Sequence, residues 1–127
     1  MKLRVDPEAG PIFEQIVAGV KAAIARGELA PGEKLPSARA LAEELKVNPN
    51  TVIRAFLELE REGITETRRG LGTFVREDVD QEALKHELLI AAARRYLNAA
   101  RELGLSDEEA ARALLEVERD ARGPKSA

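Results

Sequence analysis

The feature that most constrains the fold of this chain is an abrupt break between two short helical patterns. In the first pattern, which follows Ser37 as a helix N-cap, the apolar residues are Leu41, Ala42 and Leu45. The break is Lys46-Val47, and the second pattern starts at Asn48-Pro49, with asparagine as the cap and proline at the first helical position. Two helices joined by a turn of about three residues are typical of a helix-turn-helix.

The surrounding sequence supplies the other elements of a small domain. Upstream, a helical pattern carries an apolar stripe made of Phe13, Ile16, Val17, Val20 and Ile24. Downstream, β-branched and aromatic residues at positions 64–69 and 73–76 flank a glycine-rich tip at 70–72, which predicts a β-hairpin. Three helices followed by a hairpin form a winged helix, so residues 1–76 are predicted to be a winged helix-turn-helix domain.

Two turns in this domain call for unusual backbone angles. Pro31-Gly32 fits the central positions of a type II turn, in which glycine takes a positive φ. Lys46 stands where such helix-turn-helix turns often carry glycine, so a positive φ at this lysine would cost about 1 kcal/mol.

After Glu77 the sequence changes to an alanine-rich helical composition. It predicts two helices, one over residues 81–103 and one after Ser106, whose capping box with Glu109 marks a helix start. Two such helices bury too little core to be stable alone, so we expect a second subunit to cover their apolar stripes. Residues 77–127 are therefore predicted to be a helical homodimerisation domain, with contacts at Leu84, Leu88, Ala92, Tyr96, Leu103, Leu114 and Val117. The predicted fold class is mainly α with a small β-hairpin: an N-terminal winged helix-turn-helix followed by a two-helix dimerisation tail.

The composition excludes several classes of site. The chain has no cysteine and one histidine, which rules out thiolate chemistry and two-histidine metal sites. The sequence contains no recognisable nucleophile–base pair, so we expect no enzyme activity, no cofactor and no metal. His86 and Glu82 are interpreted as surface residues.

No apolar run reaches the roughly 20 residues of a membrane span. The charged N-terminus is unlike a secretory signal, and the prediction is a cytoplasmic protein with no membrane partner.

The charge is unevenly distributed along the chain. The formal net charge is −3, from 20 Lys and Arg against 23 Asp and Glu. Residues 1–76 hold 12 basic and 11 acidic residues, a net charge of +1, whereas residues 77–127 hold 8 and 12, a net charge of −4. The acidic total belongs mostly to the tail, so it does not exclude DNA as the partner of the first domain.

Taken together, the motifs of the first domain resemble those of the GntR family of bacterial transcriptional regulators, and specifically of its small YtrA-like subfamily. The matching stretches run in order through PIFEQI at 11–16, GELAPG at 27–32, LPSAR at 35–39, LKVNPNTV at 45–52, LEREG at 59–63 and ETRRGLGTFV at 66–75. The chain departs from the family pattern at Thr65, where isoleucine or valine is usual, and at the apolar Ile53 and Leu57. A less apolar residue at position 65 is expected to loosen the first strand of the wing.

The resemblance implies a function as well as a fold. A two-fold dimer would place two winged helices on a pseudo-palindromic operator in double-stranded DNA. The resemblance implies a repressor, commonly of a transporter operon, with a possible small-molecule effector of unknown identity that binds between the domains of the dimer.

The second helix of such a unit lies in the DNA major groove with its N-terminal residues at the base edges. Asn50, Ile53 and Arg54 share its predicted outer face and match adenine, a thymine methyl group and guanine respectively. The resemblance adds Arg39, and the glycine-rich wing with its two arginines resembles wings that enter the minor groove. The complete predicted DNA-binding set is Ser37, Arg39, Asn48, Pro49, Asn50, Thr51, Ile53, Arg54, Arg68, Arg69, Gly70 and Gly72.

Other interpretations of these residues stay open at this point. The arginines are also consistent with solvated surface charges, and those of the wing with edge-strand charges that block aggregation. Side chains alternate along a strand, so Arg68 and Arg69 cannot both face the groove equally. Ile53 and Tyr96 are also consistent with packing at an interface. The alternative function is a winged helix that serves protein–protein contact without specific DNA binding.

Overall fold

The computed structural model describes residues 1–123 and contains, within that range, five helices and one two-stranded hairpin. In chain order the elements are α1 (Ile12–Ala25), α2 (Ala38–Leu45), α3 (Pro49–Arg61), β1 (Thr65–Arg68), β2 (Gly72–Val75), α4 (Gln81–Glu102) and α5 (Asp107–Arg122). The predicted fold class is confirmed; the last four residues of the predicted tail, 124–127, lie outside the described residues. None of these five helices is long and apolar enough to cross a membrane.

The chain forms two compact units, Met1–Leu88 and Leu89–Ala127, the second of which the structure describes up to residue 123. This boundary lies beyond the predicted division after residue 76, because the first turns of α4 pack into the N-terminal unit. Leu84 is 4% exposed and belongs to the core of that unit. Gln81 Nε2 donates a hydrogen bond to the carbonyl oxygen of Ile24 (2.9 Å). The predicted division of function between the two parts stays a prediction.

The core of the N-terminal unit forms where α1 and α2 both pack on α3. Fully buried side chains from α1, α2, α3, β2 and the loop after α1 meet there: Ile16, Val20, Ile24, Leu35, Leu41, Val52, Leu59 and Val75. Burying one such aliphatic side chain contributes about 1.5–3 kcal/mol. This cluster therefore fixes the orientation of α3 and directs the opposite face of that helix outward.

The break between α2 and α3 is a left-handed turn at Lys46 (φ 59°, ψ 48°), which confirms the positive φ suggested for this lysine. Predicted caps stand on both sides of the turn. Ser37 Oγ accepts a hydrogen bond from the backbone N–H of Ala40 (3.1 Å). Asn48 Oδ1 accepts one from the backbone N–H of Asn50 (2.8 Å). Both helices of the helix-turn-helix thus begin at the residues that local sequence patterns select.

A third segment extends the hairpin beyond its two strands. The predicted turn at Gly32 (φ 83°) directs the loop after α1 along the outer edge of β2. Leu35 N donates to the carbonyl oxygen of Thr73 (2.8 Å), and Val75 N donates to the carbonyl oxygen of Glu33 (2.8 Å). The hairpin is therefore tied to the loop that leads into α2, which links the wing to the helix-turn-helix.

One carboxylate fastens the hairpin to α3. Glu60 Oε1 accepts hydrogen bonds from Thr67 N (3.0 Å) and from Thr67 Oγ1 (2.7 Å). Thr65 lies two residues earlier on the same face of β1 and is 1% exposed. Its Oγ1 is buried and has no hydrogen-bond partner within residues 1–123. A buried hydroxyl without a partner costs free energy, so the strand is weaker at this position than an aliphatic residue would make it.

Lys21 is a buried charge that connects three helices of the N-terminal unit. Its side chain on α1 is 9% exposed, and Nζ pairs with Glu62 Oε1 at the C-cap of α3 (2.5 Å) and with Glu87 Oε2 of α4 (2.8 Å). Burial by itself lowers the pKa of Lys21, but hydrogen bonds and charge attraction from the two carboxylates outweigh it and raise the pKa above the ordinary 10.5.

The second unit has little core of its own. Ser106 caps α5, and the predicted capping box with Glu109 is confirmed. Tyr96 Oη donates a hydrogen bond to the carbonyl oxygen of Ala110 (2.7 Å), which joins α4 to α5. In the part of this unit that the structure describes, only Ala100 and Ala110 are buried. Most of the apolar surface of the described part of this unit is therefore exposed.

We expect Lys21→Met to lower the free energy of unfolding by about 2 kcal/mol at neutral pH, because both carboxylates lose their cationic partner. Since folding raises the pKa of Lys21, the wild-type advantage is complete below pH 10.5 and is lost as the pH rises through the raised value. Urea unfolding at several pH values measures both effects. The matched control is Lys85→Met, because Lys85 forms an exposed ion pair with Glu82 (3.2 Å) that contributes little. Equal losses in the two variants would contradict the assignment.

We expect Thr65→Val to raise the free energy of unfolding by about 1 kcal/mol, because it replaces an unpartnered buried hydroxyl with a methyl group of the same size. Thr67→Val is the control, and it should be destabilising because it removes the hydrogen bond to Glu60. Thermal or urea unfolding of the two variants should give changes of opposite sign. A loss of stability in Thr65→Val would show that its hydroxyl has a partner in solution.

Candidate nucleic-acid interface

The N-terminal half of α3 presents one buried and one exposed face. Val52 and Ala55 are buried in the core, whereas Asn50, Ile53 and Arg54 are exposed. These three lie at i, i+3 and i+4, so they stand together on the surface of the helix. The structure thus places the three predicted base-reading residues side by side, with polar, apolar and cationic side chains available at the start of one helix.

The backbone N–H groups in the first turn of α3 are paired within the chain. Asn48 uses its side-chain oxygen to cap the helix, and Pro49 has no N–H to leave unpaired. Thr51 is half-buried in the first turn. Thr51 N donates to the carbonyl oxygen of Asn48 (2.9 Å), so this helix end offers the partial positive charge of the helix dipole and no open N–H group in its first turn. On α2, Ser37 serves as the cap and Arg39 is exposed in the first turn.

The structure separates the two arginines of the wing, which the sequence could not do. Arg68 Nη2 pairs with Glu66 Oε1 (2.9 Å), and its guanidinium lies over the ring of Phe74, 4.2 Å from the centroid. These side chains lie on the hairpin face opposite to Thr67, which bonds to α3. Arg69 is exposed in the tip of the hairpin. Arg68 is therefore held by its own strand pair, and Arg69 is the arginine that the tip presents.

The tip of the hairpin is narrow because of its glycines. Gly70 (φ 76°) and Gly72 (φ 120°) both adopt backbone angles that side chains disfavour. The turn closes with a hydrogen bond from Leu71 N to the carbonyl oxygen of Arg68 (2.9 Å). With no Cβ at two of these positions, the backbone at the tip can approach a flat or grooved surface closely.

Sequence reasoning missed Lys34, which the structure places beside α3. A Cβ at Gly72 would come within 2.7 Å of Lys34 Cε, so the glycine makes room for the lysine stem to cross the hairpin. Lys34 lines a groove of about 480 Å³ between α3, the start of α2 and the hairpin, together with the exposed apolar side chains of Ile53, Leu57 and Leu71. The available signal was a cation directly before Leu35 in the loop that pairs with β2.

The acidic residues late in α3 are engaged within the N-terminal unit. Glu58 pairs with Arg61, which lowers the pKa of Glu58 to about 2. Glu60 accepts hydrogen bonds from the hairpin, and Glu62 pairs with the buried Lys21. The carboxylates therefore have structural partners, and their repulsion toward an anionic ligand at the start of α3 is reduced.

The predicted dimer residues occupy three kinds of environment. Leu84 is buried in the N-terminal core, and Leu88 is half-buried against that same core. Tyr96 is half-buried and hydrogen-bonded within the second unit. The remaining residues are exposed: Ala92, Leu103, Leu114 and Val117. We therefore expect the contacts with a partner subunit at these exposed residues and at their neighbours in the second unit.

The described residues hold no group of three or more metal-ligating side chains. His86 is exposed on α4. The candidate site consists of the start of α2, the start of α3 and the tip of the hairpin.

Three comparisons bear on the identity of this surface. A family model described as bacterial regulatory proteins, gntR family, matches residues 12–75. The HTH-type transcriptional repressor YtrA of Bacillus subtilis is 36% identical over 126 residues, with 97% of each chain covered. The structure of a GntR family transcriptional regulator from Listeria monocytogenes is similar with a TM-score of 0.74 and 33% identity, covering 88% of this chain and 98% of that one.

A further similarity covers a smaller share of the chain. The crystal structure of the AraR DBD in complex with operator ORE1 is similar with a TM-score of 0.51 and 25% identity, covering 59% of this chain and 93% of that one. The names of these relatives describe regulators of transcription and not enzymes, as the sequence predicts. The chain belongs to the gntR family of bacterial regulatory proteins.

Proposed function

We propose that this chain is a sequence-specific DNA-binding regulator that acts as a homodimeric repressor on a pseudo-palindromic operator. The observation that carries the proposal is the exposed face at the start of α3, where Asn50, Ile53 and Arg54 stand side by side. An α-helix fits the DNA major groove, and these side chains match adenine, a thymine methyl group and the edge of guanine. The buried face of α3 keeps that arrangement rigid before DNA arrives.

The flanking cations supply contacts to the DNA backbone in this proposal. Arg39 on α2 and Lys34 at the groove beside α3 are exposed on the N-terminal unit. The side-chain amide of Asn48 and the hydroxyl of Thr51, at the positive end of the α3 dipole, offer further donors to phosphate oxygens. Backbone contacts fix the register of a protein on DNA, whereas contacts to base edges select the sequence.

For the wing we assign the DNA contact to Arg69. Arg68 is already paired with Glu66 and stacked on Phe74, whereas Arg69 is exposed at the tip. The two tip glycines leave the backbone uncovered, which favours a close approach to the minor groove. The negative potential of a narrow minor groove attracts an arginine inserted into it.

Two similarities support the proposal. The similar relative from Bacillus subtilis is named a transcriptional repressor, and it matches this chain over nearly its whole length. The similar AraR structure is a complex with an operator. A repressor of this kind occupies its operator in the bacterial cytoplasm and blocks RNA polymerase.

The second unit supports a homodimer. Its α4 and α5 enclose an open apolar groove of about 580 Å³, and the side chains around it include Leu89, Ala92, Tyr96, Leu97 and Leu114. Leu89, Leu114 and Val117 are more than half exposed in a single chain. Contiguous exposed apolar surface of this kind marks an interaction site. A second copy of the same unit carries the same surface, so the two copies can bury it against each other. The transporter operon and the small-molecule effector remain predictions from the family resemblance.

We expect Arg39→Ala and Arg54→Ala each to weaken binding to an operator duplex by about 1–3 kcal/mol, since each loses a charged contact to DNA. The duplex is one selected by the wild-type protein from its own genomic fragments, and fluorescence anisotropy measures the affinity. Arg26→Ala is the matched control, because Arg26 is an exposed arginine paired with Glu28 (2.9 Å) at the far end of α1.

Salt dependence separates this proposal from a protein-docking role for the winged helix. The logarithm of the affinity should fall with the logarithm of salt concentration by about 0.9 for each phosphate neutralised. Lys34→Gln should reduce that slope by about one phosphate and leave the preference for operator over random duplex unchanged. Affinity independent of salt, or equal affinity for random duplexes, would refute a specific repressor.

The dimer is tested with the double variant Leu114→Asp/Val117→Asp, which places two charges on the exposed apolar surface of α5. We expect it to sediment as a monomer and to bind a two-half-site operator more weakly than the wild type. Leu71→Asp is the control for sedimentation only, because Leu71 is similarly exposed (61%) but lies in the wing tip, where an added charge would itself weaken DNA binding. A double variant that remains dimeric would show that the subunits associate elsewhere.

A further inference from the structure

Arg54 is held by an aromatic ring from outside the helix-turn-helix. Its guanidinium carbon lies 3.7 Å from the ring centroid of Phe13, in the first turn of α1. Phe13 is half-buried and packs against the core of the N-terminal unit, whereas Arg54 is exposed. The ring is thus a fixed platform, and the arginine lies between that platform and solvent.

A ring restricts an arginine in a different way from a carboxylate. Arg61 and Arg68 each direct N–H groups at a glutamate of their own unit. A guanidinium stacked on a ring keeps its N–H groups in its own plane, at the edge of the stack, where they remain free to donate. The stack therefore reduces the number of side-chain conformations without using the donors.

This restriction matters for reading a base. Paired donation to O6 and N7 of guanine requires a planar guanidinium in a defined orientation. A free arginine loses rotamer entropy when a base fixes it, and an arginine that is already stacked loses less of it. An α1 side chain can in this way influence base recognition without touching DNA.

We propose that Phe13 is a positioning residue that orients Arg54 for the recognition of guanine in the operator. The inference rests on the DNA-binding function proposed above and extends it to a residue of α1. Arg54 makes the contact to the base, and Phe13 acts only through Arg54.

A double-mutant cycle tests the coupling. The four proteins are the wild type, Phe13→Leu, Arg54→Ala and the variant with both changes, all as full-length chains. The probes are the operator duplex selected by the wild-type protein and a set of duplexes in which each G·C pair is replaced in turn by A·T. Phe13→Tyr, which keeps the ring, and Phe74→Leu, which removes the ring under Arg68, are the matched controls.

We expect Phe13→Leu to weaken operator binding about two- to fivefold, the range of an exposed cation–π contact. The loss should be absent when Arg54 is already alanine, and both single variants should lose discrimination at the same G·C pair. Phe13→Tyr should bind as the wild type does, and the effect of Phe74→Leu should be independent of Arg54. Thermal unfolding of each variant confirms that the fold is retained.

Three results would overturn the inference. The first is an equal loss from Phe13→Leu with and without Arg54, which indicates a general effect on the fold. The second is no loss at all, and the third is tighter binding, which would mean that the ring withholds Arg54 from DNA. A wild-type chain that selects no duplex, or an Arg54→Ala variant that binds like the wild type, would contradict the proposed function itself.

Discussion

The packing of α3 against α1 and α2 is the constraint on which the rest of this structure depends. The buried side chains of Val52, Ala55 and Leu59 decide which way the helix is turned. Once that face is buried, the side chains of Asn50, Ile53 and Arg54 have to point to solvent, because they lie on the opposite side of the same helix. The hydrophobic effect on the buried face therefore sets the orientation of the exposed face. The residues of the exposed face do not supply the energy that fixes this orientation.

Around this packing, polar contacts join the remaining elements to α3. Glu60 fastens the hairpin through Thr67, and Glu62 receives the buried charge of Lys21. The same acidic residues that make the domain nearly neutral are therefore structural partners of the wing and of α1. A nearly neutral domain has weak nonspecific attraction for DNA, so recognition depends on where its cations stand and on how rigidly they are held.

The two ring–arginine stacks show two uses of the same contact. At Phe74 the stacked Arg68 also donates a hydrogen bond from Nη2 to Glu66 within the hairpin. At Phe13 the ring holds Arg54 and leaves its donors open. The difference lies in the neighbouring carboxylate, and it separates an arginine that stabilises a strand pair from one that is available to a ligand.

The sequence by itself determined the features that depend on neighbouring residues. The caps at Ser37, Asn48 and Ser106, the left-handed turn at Lys46 and the type II turn at Gly32 follow from side-chain and backbone chemistry within a few positions. The order of helices and strands followed from hydrophobic periodicity in the same local way. For that reason the fold class and the exposed face of α3 could be predicted.

Only the tertiary structure decided which of these residues meet across the fold. The assignment of Arg68 to Glu66 and Phe74, the space that Gly72 leaves for Lys34 and the burial of Leu84 in the N-terminal core all depend on pairing register or on helix packing. The contact of Phe13 with Arg54 joins residues on two helices that are far apart in the chain. Local patterns carry no information about such distances, because the energy that sets them comes from burying side chains of separate elements together.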